Sequence, residues 1–344
     1  MLADLGADVV KVEPPTGDPM RQMGMLRDGV SRNWNWVGRR KRSIVLDLVA
    51  DADHITFRRL LGSADVLIEN LDAKTRERWH LGYDELAAVN PRLVVVSVSC
   101  YGLTGPYADR AGAGTLAEAF GGLAHMTGMP DGPPVLASVA LGDTLTAFGG
   151  VVGALAACWG RDASPGSDGQ GRLVDATMYD PILHVMGATF ATYDPGPEPP
   201  RRSGSRVHGG APRNVYRTRD EHWVAVSGTT DGQSSRVFAL IGHDSPAELE
   251  RYKTSAARVA VADEIDALVA EWIGAHDRDE VIAAFIDARI PIAPVNDVRD
   301  LLADPHLAAR GDLERLHSGI APTLDEHRAE VLHDWLEAPQ DPSK

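Results

Sequence analysis

Cysteine is scarce in this sequence, with Cys100 and Cys158 the only two among 344 residues. They form no Cys-x-x-Cys pair and have no metal-type spacing with histidine, which argues against a disulfide framework and against a zinc site. Basic residues are also in deficit, since 34 Lys and Arg stand against 49 Asp and Glu and give a formal net charge of −15. Binding along a nucleic-acid backbone needs clustered cations, so the composition argues against nucleic acid as a partner.

Long apolar runs are missing as well. No run of about 18 apolar residues occurs, which predicts no membrane span. The N-terminus has no basic segment followed by an apolar one, so no export signal is predicted. Together with the low cysteine content, this favours a cytoplasmic location. The hydrophobic fraction of 44% in a chain of this length suffices for two domains with their own cores.

One compact basic run, RRKR at 39–42, interrupts the acidic sequence. It is either a solvated loop or a docking point for an anionic ligand. The residue types alone do not decide between the two.

Strand-like and helix-like segments alternate through the first half of the chain. Residues 7–13, 43–48, 64–70 and 93–99 are rich in Val, Ile and Leu, as is typical of strands. The helical segments between them predict a largely parallel sheet with right-handed crossovers. A stretch of Pro, Gly, Ser and Arg at 194–206 marks the clearest boundary. Beyond it, two strands around a polar turn and several helices predict a smaller α+β domain.

A single carboxylate stands between a Pro/Gly-rich loop and an apolar run of small residues. It belongs to Asp143 in Leu-Gly-Asp-Thr at 141–144, just before the run at 147–157. An acid in this position is either an N-cap, which accepts hydrogen bonds from free backbone N–H groups, or a reactive group held at a helix start. Residue type alone favours the cap.

An ordered set of motifs resembles the class III CoA-transferases of the CaiB/BaiF type, a family that also contains CoA-dependent racemases of branched acyl-CoA. Each motif is weak alone, but together they cover nearly the whole chain. The motifs are LADLGADVVKVEPPTGDPMR (2–21), KRSIVLDL (41–48), ADVLIENL (64–71), GYDELAAVNPRLVVVSVSCYGLTGPYADRAG (82–112), TGMPDGPP (127–134), LGD (141–143), GQGRLVDATMYD (169–180) and PIAPVNDVRDLLADPHLAARG (291–311).

The resemblance implies an α/β fold in which a Rossmann-like open parallel sheet forms the large domain, with a smaller α+β domain and an interlocked homodimer. The expected divisions are a CoA-binding large domain at 1–195, a linker at 196–206, a small domain at 207–297 and a return to the large domain at 298–344. The chain begins inside the first helix of the family's opening βαβ unit. We therefore expect either a start further upstream or a truncated form.

In the resembled family the acid at Asp143 is the nucleophile, which would carry CoA as an aspartyl-CoA thioester. The resemblance implies that Gly142 leaves the approach to it open and that Glu118 lies near the reacting acyl group. Gly209 and Gly210 correspond to glycines that stabilise tetrahedral oxyanions. With this resemblance, the nucleophile is preferred over a simple cap.

The resemblance also implies a CoA site. Arg21 and Arg78 correspond to arginines that contact phosphates, and a guanidinium fork suits a phosphate. Further positions are expected to line the nucleotide or the pantetheine: Leu46, Asn70, Leu71, Arg110, Ala111, Gly112 and Ala113. CoA and acyl-CoA are expected as substrates, and no metal or permanently bound cofactor is predicted.

Two alternatives stay open at this point. Racemases of the resembled family pair an aspartate with a histidine from the segment equivalent to 112–114, because two-base proton transfer requires a base opposite the acid. Ala113 and Gly114 stand there, which favours CoA transfer between an acyl-CoA donor and a carboxylic acid. The other alternative is a truncated CoA-binding homologue without catalysis.

Overall fold

A computed structural model of the chain describes residues 1–163, 166–193, 199–207, 209–317 and 319–337. The chain forms two compact units. The first comprises Met1–Leu123, Leu136–Tyr193 and Glu314–Lys344, and the second comprises Ala124–Val135 and Asp194–Leu313.

This division differs from the expected one at two places. Residues 124–135 belong to the second unit because Arg202 donates hydrogen bonds to the carbonyls of His125 and Gly132 at 3.0 Å. The return to the first unit begins at Glu314 instead of 298. Part of the expected linker, 196–198, lies outside the described residues, and the remainder belongs to the second unit.

The elements are numbered in chain order. The strands are β1 (Val10–Glu13), β2 (Leu26–Arg27), β3 (Val30–Ser31), β4 (Arg42–Val45), β5 (Val66–Glu69), β6 (Val94–Ser99), β7 (Leu173–Thr177), β8 (Arg213–Arg217), β9 (Trp223–Ser227) and β10 (Ile292–Pro294). The α-helices are α1 (Arg32–Gly38), α2 (Asp51–Ser63), α3 (Ala73–Arg78), α4 (Tyr83–Val89), α5 (Gly114–Phe120), α6 (Leu123–Met126), α7 (Leu141–Asp162), α8 (Asp180–Val185), α9 (Gly187–Thr192), α10 (Asp231–Ile241), α11 (Pro246–Arg251), α12 (Ser255–Ala260), α13 (Ala262–Gly274), α14 (Arg278–Asp287), α15 (Val298–Ala303), α16 (Pro305–Arg310), α17 (Asp312–His317) and α18 (Arg328–Leu332). Short 3₁₀ turns lie at Leu2–Leu5 and Pro19–Arg21, and a π-helical turn lies at His333–Glu337.

The first unit is built on parallel strands, which confirms the predicted α/β class. β1 pairs with β4, and β5, β6 and β7 form a second sheet in that order. The prediction of one open sheet is modified, because in the described part of the chain no strand pairing joins these two groups. Both share a core with α2, α4 and α18, in which Ile44, Leu86 and Val331 are completely buried.

α7 covers the sheet with small residues. A Cβ added at Gly153 would come within 2.7 Å of Val174 Cγ1, so the helix and β7 pack backbone to side chain. Large apolar residues lie on its outer side and are exposed, namely Phe148, Val152, Leu155 and Trp159. By length and composition alone α7 is long and apolar enough to cross a membrane, although the sequence, which lacks an unbroken apolar run of about 18 residues, predicted no span.

The second unit is α+β, as predicted. β8, β9 and β10 form an antiparallel sheet. Its core is formed by residues of β8, β9, α10, α13 and α14 and includes Val224, Phe238 and Phe285. The predicted strands at 214–218 and 223–226 are found within one residue of those bounds.

Candidate active site

Asp143 lies in the first turn of α7 but does not cap the helix. The cap residue is Ala140, which has no side-chain acceptor. The Asp143 side chain is exposed, and within the described residues it makes no hydrogen bond or ion pair. The cap interpretation is therefore wrong for this acid, and its carboxylate oxygens are open to a reactant.

Glu118 of α5 performs the capping task instead. It is 1% exposed, and its two carboxylate oxygens accept the N–H groups of Gly142 and Ala137 at 3.1 Å. A carboxylate at the start of a helix satisfies unpaired N–H groups and interacts favourably with the helix dipole. Glu118 is thus buried, as the pocket interpretation expected, but it holds the turn that carries Asp143. We assign it a positioning role.

Gly114 and Gly142 bring the starts of α5 and α7 into direct backbone contact. A Cβ at Gly142 would lie 2.3 Å from the Gly114 carbonyl oxygen. A Cβ at Gly114 would lie 2.5 Å from both the amide nitrogen and Oδ2 of Asp143. Neither position accepts a side chain, so a histidine base cannot stand at 114. Sequence reasoning missed this role of Gly114, although the alternating Ala-Gly-Ala-Gly at 111–114 signals a close approach.

The segment leading to Gly114 lies against the end of β6. A Cβ at Gly112 would come within 2.1 Å of Cys100 Cβ, and the Cys100 thiol donates to the Ala113 carbonyl at 3.8 Å. Ala111, Gly112 and Ala113 are exposed. Burial, together with the Asp143 carboxylate, raises the pKa of Cys100, so this thiol stays protonated and does not compete as a nucleophile.

An aromatic cluster borders the same segment. Phe120 makes edge-on contacts with Tyr101, Tyr107 and Tyr179 at centroid distances of 5.2, 6.1 and 5.4 Å. Arg110 stacks on one member of the cluster, Tyr107, and its guanidinium carbon lies 3.6 Å from the centroid of that ring. The cluster thus fixes one face of the Arg110 guanidinium by a cation–π contact.

Arg21 is committed to contacts within the protein. Its guanidinium makes two 2.7 Å bonds to the Glu13 carboxylate, donates to the Pro322 carbonyl at 3.0 Å and stacks on Trp34. Burial raises the pKa of Glu13, but the hydrogen bonds from Arg21 and Ser43 outweigh it, and the net pKa is lowered. Arg21 therefore ties the C-terminal segment to β1, which leaves its predicted phosphate contact without support.

The other CoA-site predictions fall into two groups. Leu46 is 1% exposed within the core, so its side chain cannot line a ligand. Leu71 is half-buried and also packs on the core. Asn70 and Arg78 are exposed, at the end of β5 and in α3, where a ligand could reach them. Their role in binding CoA stays a prediction.

The model of CoA-transferase family III matches residues 1–333. The chain belongs to this family. Succinyl-CoA–D-citramalate CoA-transferase of Chloroflexus aurantiacus is 33% identical, over 99% of this chain and 90% of that protein. Succinate–glutarate CoA-transferase of Agrobacterium fabrum is also 33% identical, over 96% and 90%.

Solved structures agree with this assignment. A CaiB/BaiF family protein from Brucella suis superposes with a TM-score of 0.82 and 31% identity, over 97% of this chain and 93% of that one. Rv3272 from Mycobacterium tuberculosis, at 22% identity, shares the fold with a TM-score of 0.80 over 95% and 92%. The chain is therefore an enzyme of the CoA-transferase class with the CaiB/BaiF fold.

Within this family III enzyme, Gly209 and Gly210 belong to the second unit. Gly209 has a φ of +107° and open space around its Cα, whereas a Cβ at Gly210 would lie 2.7 Å from Thr229. Their oxyanion role stays a prediction. Among the described residues, no three His, Cys, Asp or Glu side chains are placed to hold a metal ion together.

Replacing Glu118 by Gln tests its capping role in the enzyme. The amide keeps one acceptor but turns an NH₂ toward a backbone N–H, so one buried donor loses its partner. We expect the free energy of unfolding to fall by about 1–3 kcal/mol and kcat to fall as Asp143 becomes less well held. Urea unfolding and steady-state kinetics measure both. The exposed Glu77→Gln in α3 is the matched control; equal effects of the two changes would refute the capping role.

Proposed function

We propose that this enzyme transfers CoA from an acyl-CoA donor to a carboxylic acid acceptor through a covalent aspartyl-CoA thioester on Asp143. The observation that carries the proposal is an exposed carboxylate with no partner among the described residues, on a turn held by Glu118 and by the Gly114–Gly142 contact. A carboxylate nucleophile must be held in a fixed position while its negative charge stays unpaired, and Asp143 meets both conditions among the described residues.

The chemistry proceeds by acyl exchange at one carboxylate. An Asp143 oxygen attacks the thioester carbonyl, and the C–S bond breaks to give an aspartyl–acyl anhydride and CoA thiolate. The thiolate then attacks the aspartyl carbonyl, which releases the donor acid and leaves aspartyl-CoA. The acceptor carboxylate repeats these steps in reverse order. The family resemblance assigns stabilisation of the oxyanions to backbone N–H groups of Gly209 and Gly210, a role that stays a prediction.

For substrates we propose succinyl-CoA and dicarboxylic acids. Relatives at 33% identity are named for succinyl-CoA and for succinate. Arg110 is exposed and directly precedes the segment that leads to Gly114, and within the described residues its guanidinium donates no hydrogen bond. Arg206, in contrast, is engaged by the Asp263 and Asp266 carboxylates. Arg110 is thus suited to bind the distal carboxylate of a dicarboxylic substrate.

Arg110→Met tests this substrate assignment. We expect kcat/KM for succinate to fall roughly tenfold to a hundredfold, the worth of a charge-assisted hydrogen bond, and to fall much less for butyrate, which lacks the second carboxylate. Arg27→Met, another exposed arginine, is the control. An equal loss for the two acids would contradict dicarboxylate recognition by Arg110.

The proposed reaction as a whole is tested by initial rates with succinyl-CoA and a panel of acids. A covalent intermediate predicts parallel double-reciprocal lines, since the donor acid leaves before the acceptor binds. Exchange of the α-proton of a 2-methylacyl-CoA without net CoA transfer would support the racemase alternative instead. Binding of CoA with neither activity would support the non-catalytic homologue.

We further propose a homodimer in the cytoplasm. The exposed apolar side of α7, formed by Phe148, Val152, Leu155 and Trp159, supports association with a second copy. Light scattering during size-exclusion chromatography should give twice the mass of one chain, and the mass of a single chain would contradict the dimer.

The proposed cytoplasmic location rests on the cysteines. Cys100 and Cys158 are both free thiols, which is compatible with a reducing compartment.

A further inference from the structure

A pocket of about 560 Å³ opens beside the start of β4 in the first unit. One wall is the end of the basic run, Arg40, Lys41 and Arg42, and the other comes from residues 319–323 with Glu326 and His327. None of these residues holds Asp143. The basic run at 39–42 therefore borders a pocket. From the sequence alone, a solvated loop and an anion-binding site were equally good interpretations of this run.

Lys41 lines this pocket with a charge that no carboxylate of the described residues pairs with. It is half-buried, and within the described residues its ammonium makes no hydrogen bond or ion pair. Burial lowers the pKa of Lys41, and the nearby charges of Lys11 and Arg39 lower it further, against smaller opposite effects of Asp18 and Asp4. A cation held under these conditions gains from a bound anion.

Three cations near Lys41 already have carboxylate partners. Arg42 is paired with Asp8 and Asp334, the latter at 2.6 Å. Lys11 is paired with Asp18 at 2.7 Å, and Arg39 with Asp4 at 2.8 Å. Each of these pairs is satisfied inside the protein, whereas no carboxylate in the described residues pairs with Lys41.

The opposite wall adds a donor and one acid. Nδ1 of His327 accepts the Ser43 N–H at 3.4 Å, which assigns the ring proton to Nε2. Oε1 of Glu326 lies 3.9 Å from His327 Nε2, and Oε2 of Glu326 accepts hydrogen bonds from the N–H and the hydroxyl of Thr323. The opposite wall thus contributes one acid, whose Oε2 is already engaged by Thr323, and the Lys41 ammonium makes no ion pair with it.

We propose that this pocket binds a phosphate group, with the Lys41 ammonium as its principal ligand and His327 Nε2–H as a second donor. Phosphate is favoured because a compact dianion with several acceptor oxygens matches a compact ammonium together with separate N–H donors. The pocket volume exceeds that of a bare phosphate ion, so the group can be carried by a small ester. This site is independent of the transfer reaction proposed for Asp143.

Calorimetric titration of the full-length protein with inorganic phosphate at constant ionic strength tests the site. We expect saturable binding to the wild type, roughly tenfold or more weaker in Lys41→Gln, and retained in Lys41→Arg. Lys74→Gln removes a charge from an exposed position of α3 in the same unit and should leave phosphate binding unchanged. Absence of saturable binding to the wild type, or equal binding by wild type and Lys41→Gln, would overturn the proposal.

A parallel titration with glycerol 3-phosphate, a small phosphate ester that is not part of CoA, distinguishes the two sources of the phosphate group. If Lys41→Gln weakens binding of this ester and of inorganic phosphate to the same extent, the pocket holds a phosphate ester. If only inorganic phosphate is weakened, the pocket holds the free ion. Both results support the site, and circular dichroism of each variant verifies that the fold is retained.

Discussion

Asp143→Asn should abolish CoA transfer while leaving the fold intact. The amide has nearly the same shape, but its oxygen is a poor nucleophile and cannot form the anhydride or the thioester. Loss of a covalent nucleophile predicts a decrease in kcat of roughly a thousandfold or more. The exposed side chain makes no hydrogen bond within the described residues, so the unfolding midpoint should hardly change. Coupled assays of succinyl-CoA consumption and urea unfolding measure the two quantities.

Asp51→Asn is the matched control for this substitution. Asp51 is an exposed acid in the first turn of α2, a helix that also follows an alanine cap without a side-chain acceptor. Like Asp143 it is an exposed acid in the first turn of a helix, but it has no part in the proposed chemistry, so the rate of the control should stay within about twofold of wild type. A similar loss in both variants would indicate an electrostatic effect of helix-start acids instead of nucleophilic catalysis.

Gly114→Ala should be nearly as damaging to activity, through a single methyl group. The added Cβ would lie 2.5 Å from Asp143 Oδ2 and from its backbone nitrogen, so α5 and the first turn of α7 must separate. Displacing a reacting group by about 1 Å can cost a hundredfold in rate. Overpacking of this kind also destabilises by about 1–3 kcal/mol. Steady-state kinetics should show the loss of rate as a lower kcat, and urea unfolding should show the loss of stability.

Gly160→Ala provides the comparison within the same helix. Gly160 lies in α7, and nothing stands within 4 Å of a Cβ added there. Alanine favours a helix interior over glycine, so this variant should be more stable by up to about 1 kcal/mol and fully active. If Gly114→Ala retained wild-type kcat, the contact between α5 and α7 would have no part in placing Asp143.

Much of the fold followed from local pattern. The β-branched run at 93–99 predicted a strand and became β6 with a shift of one residue. The Pro/Gly-rich stretch at 194–206 predicted a domain boundary, and the residues described there, 199–206, belong to the second unit. These signals are local, because β-branched residues favour extended backbone and Pro and Gly interrupt regular structure.

The contacts that shape the site were not predictable in this way. Glu118 lies 24 positions before the amide that it caps, so no capping motif marks it. Arg21 matched a phosphate ligand by position, yet it contacts a carbonyl 301 residues away. Such pairings depend on which segments the tertiary fold brings together. Sequence reasoning therefore identified Asp143 as a candidate but not the residues that hold it.

Trapping of the covalent intermediate tests the central claim most directly. The wild-type enzyme is incubated with succinyl-CoA alone, treated with hydroxylamine or borohydride and digested for peptide mass spectrometry. Aspartyl-CoA predicts a hydroxamate or a reduced side chain at Asp143, which is absent from Asp143→Asn and from enzyme treated without succinyl-CoA. Succinyl-CoA-dependent CoA transfer with an unmodified Asp143, or with the modification at another acid, would contradict the account.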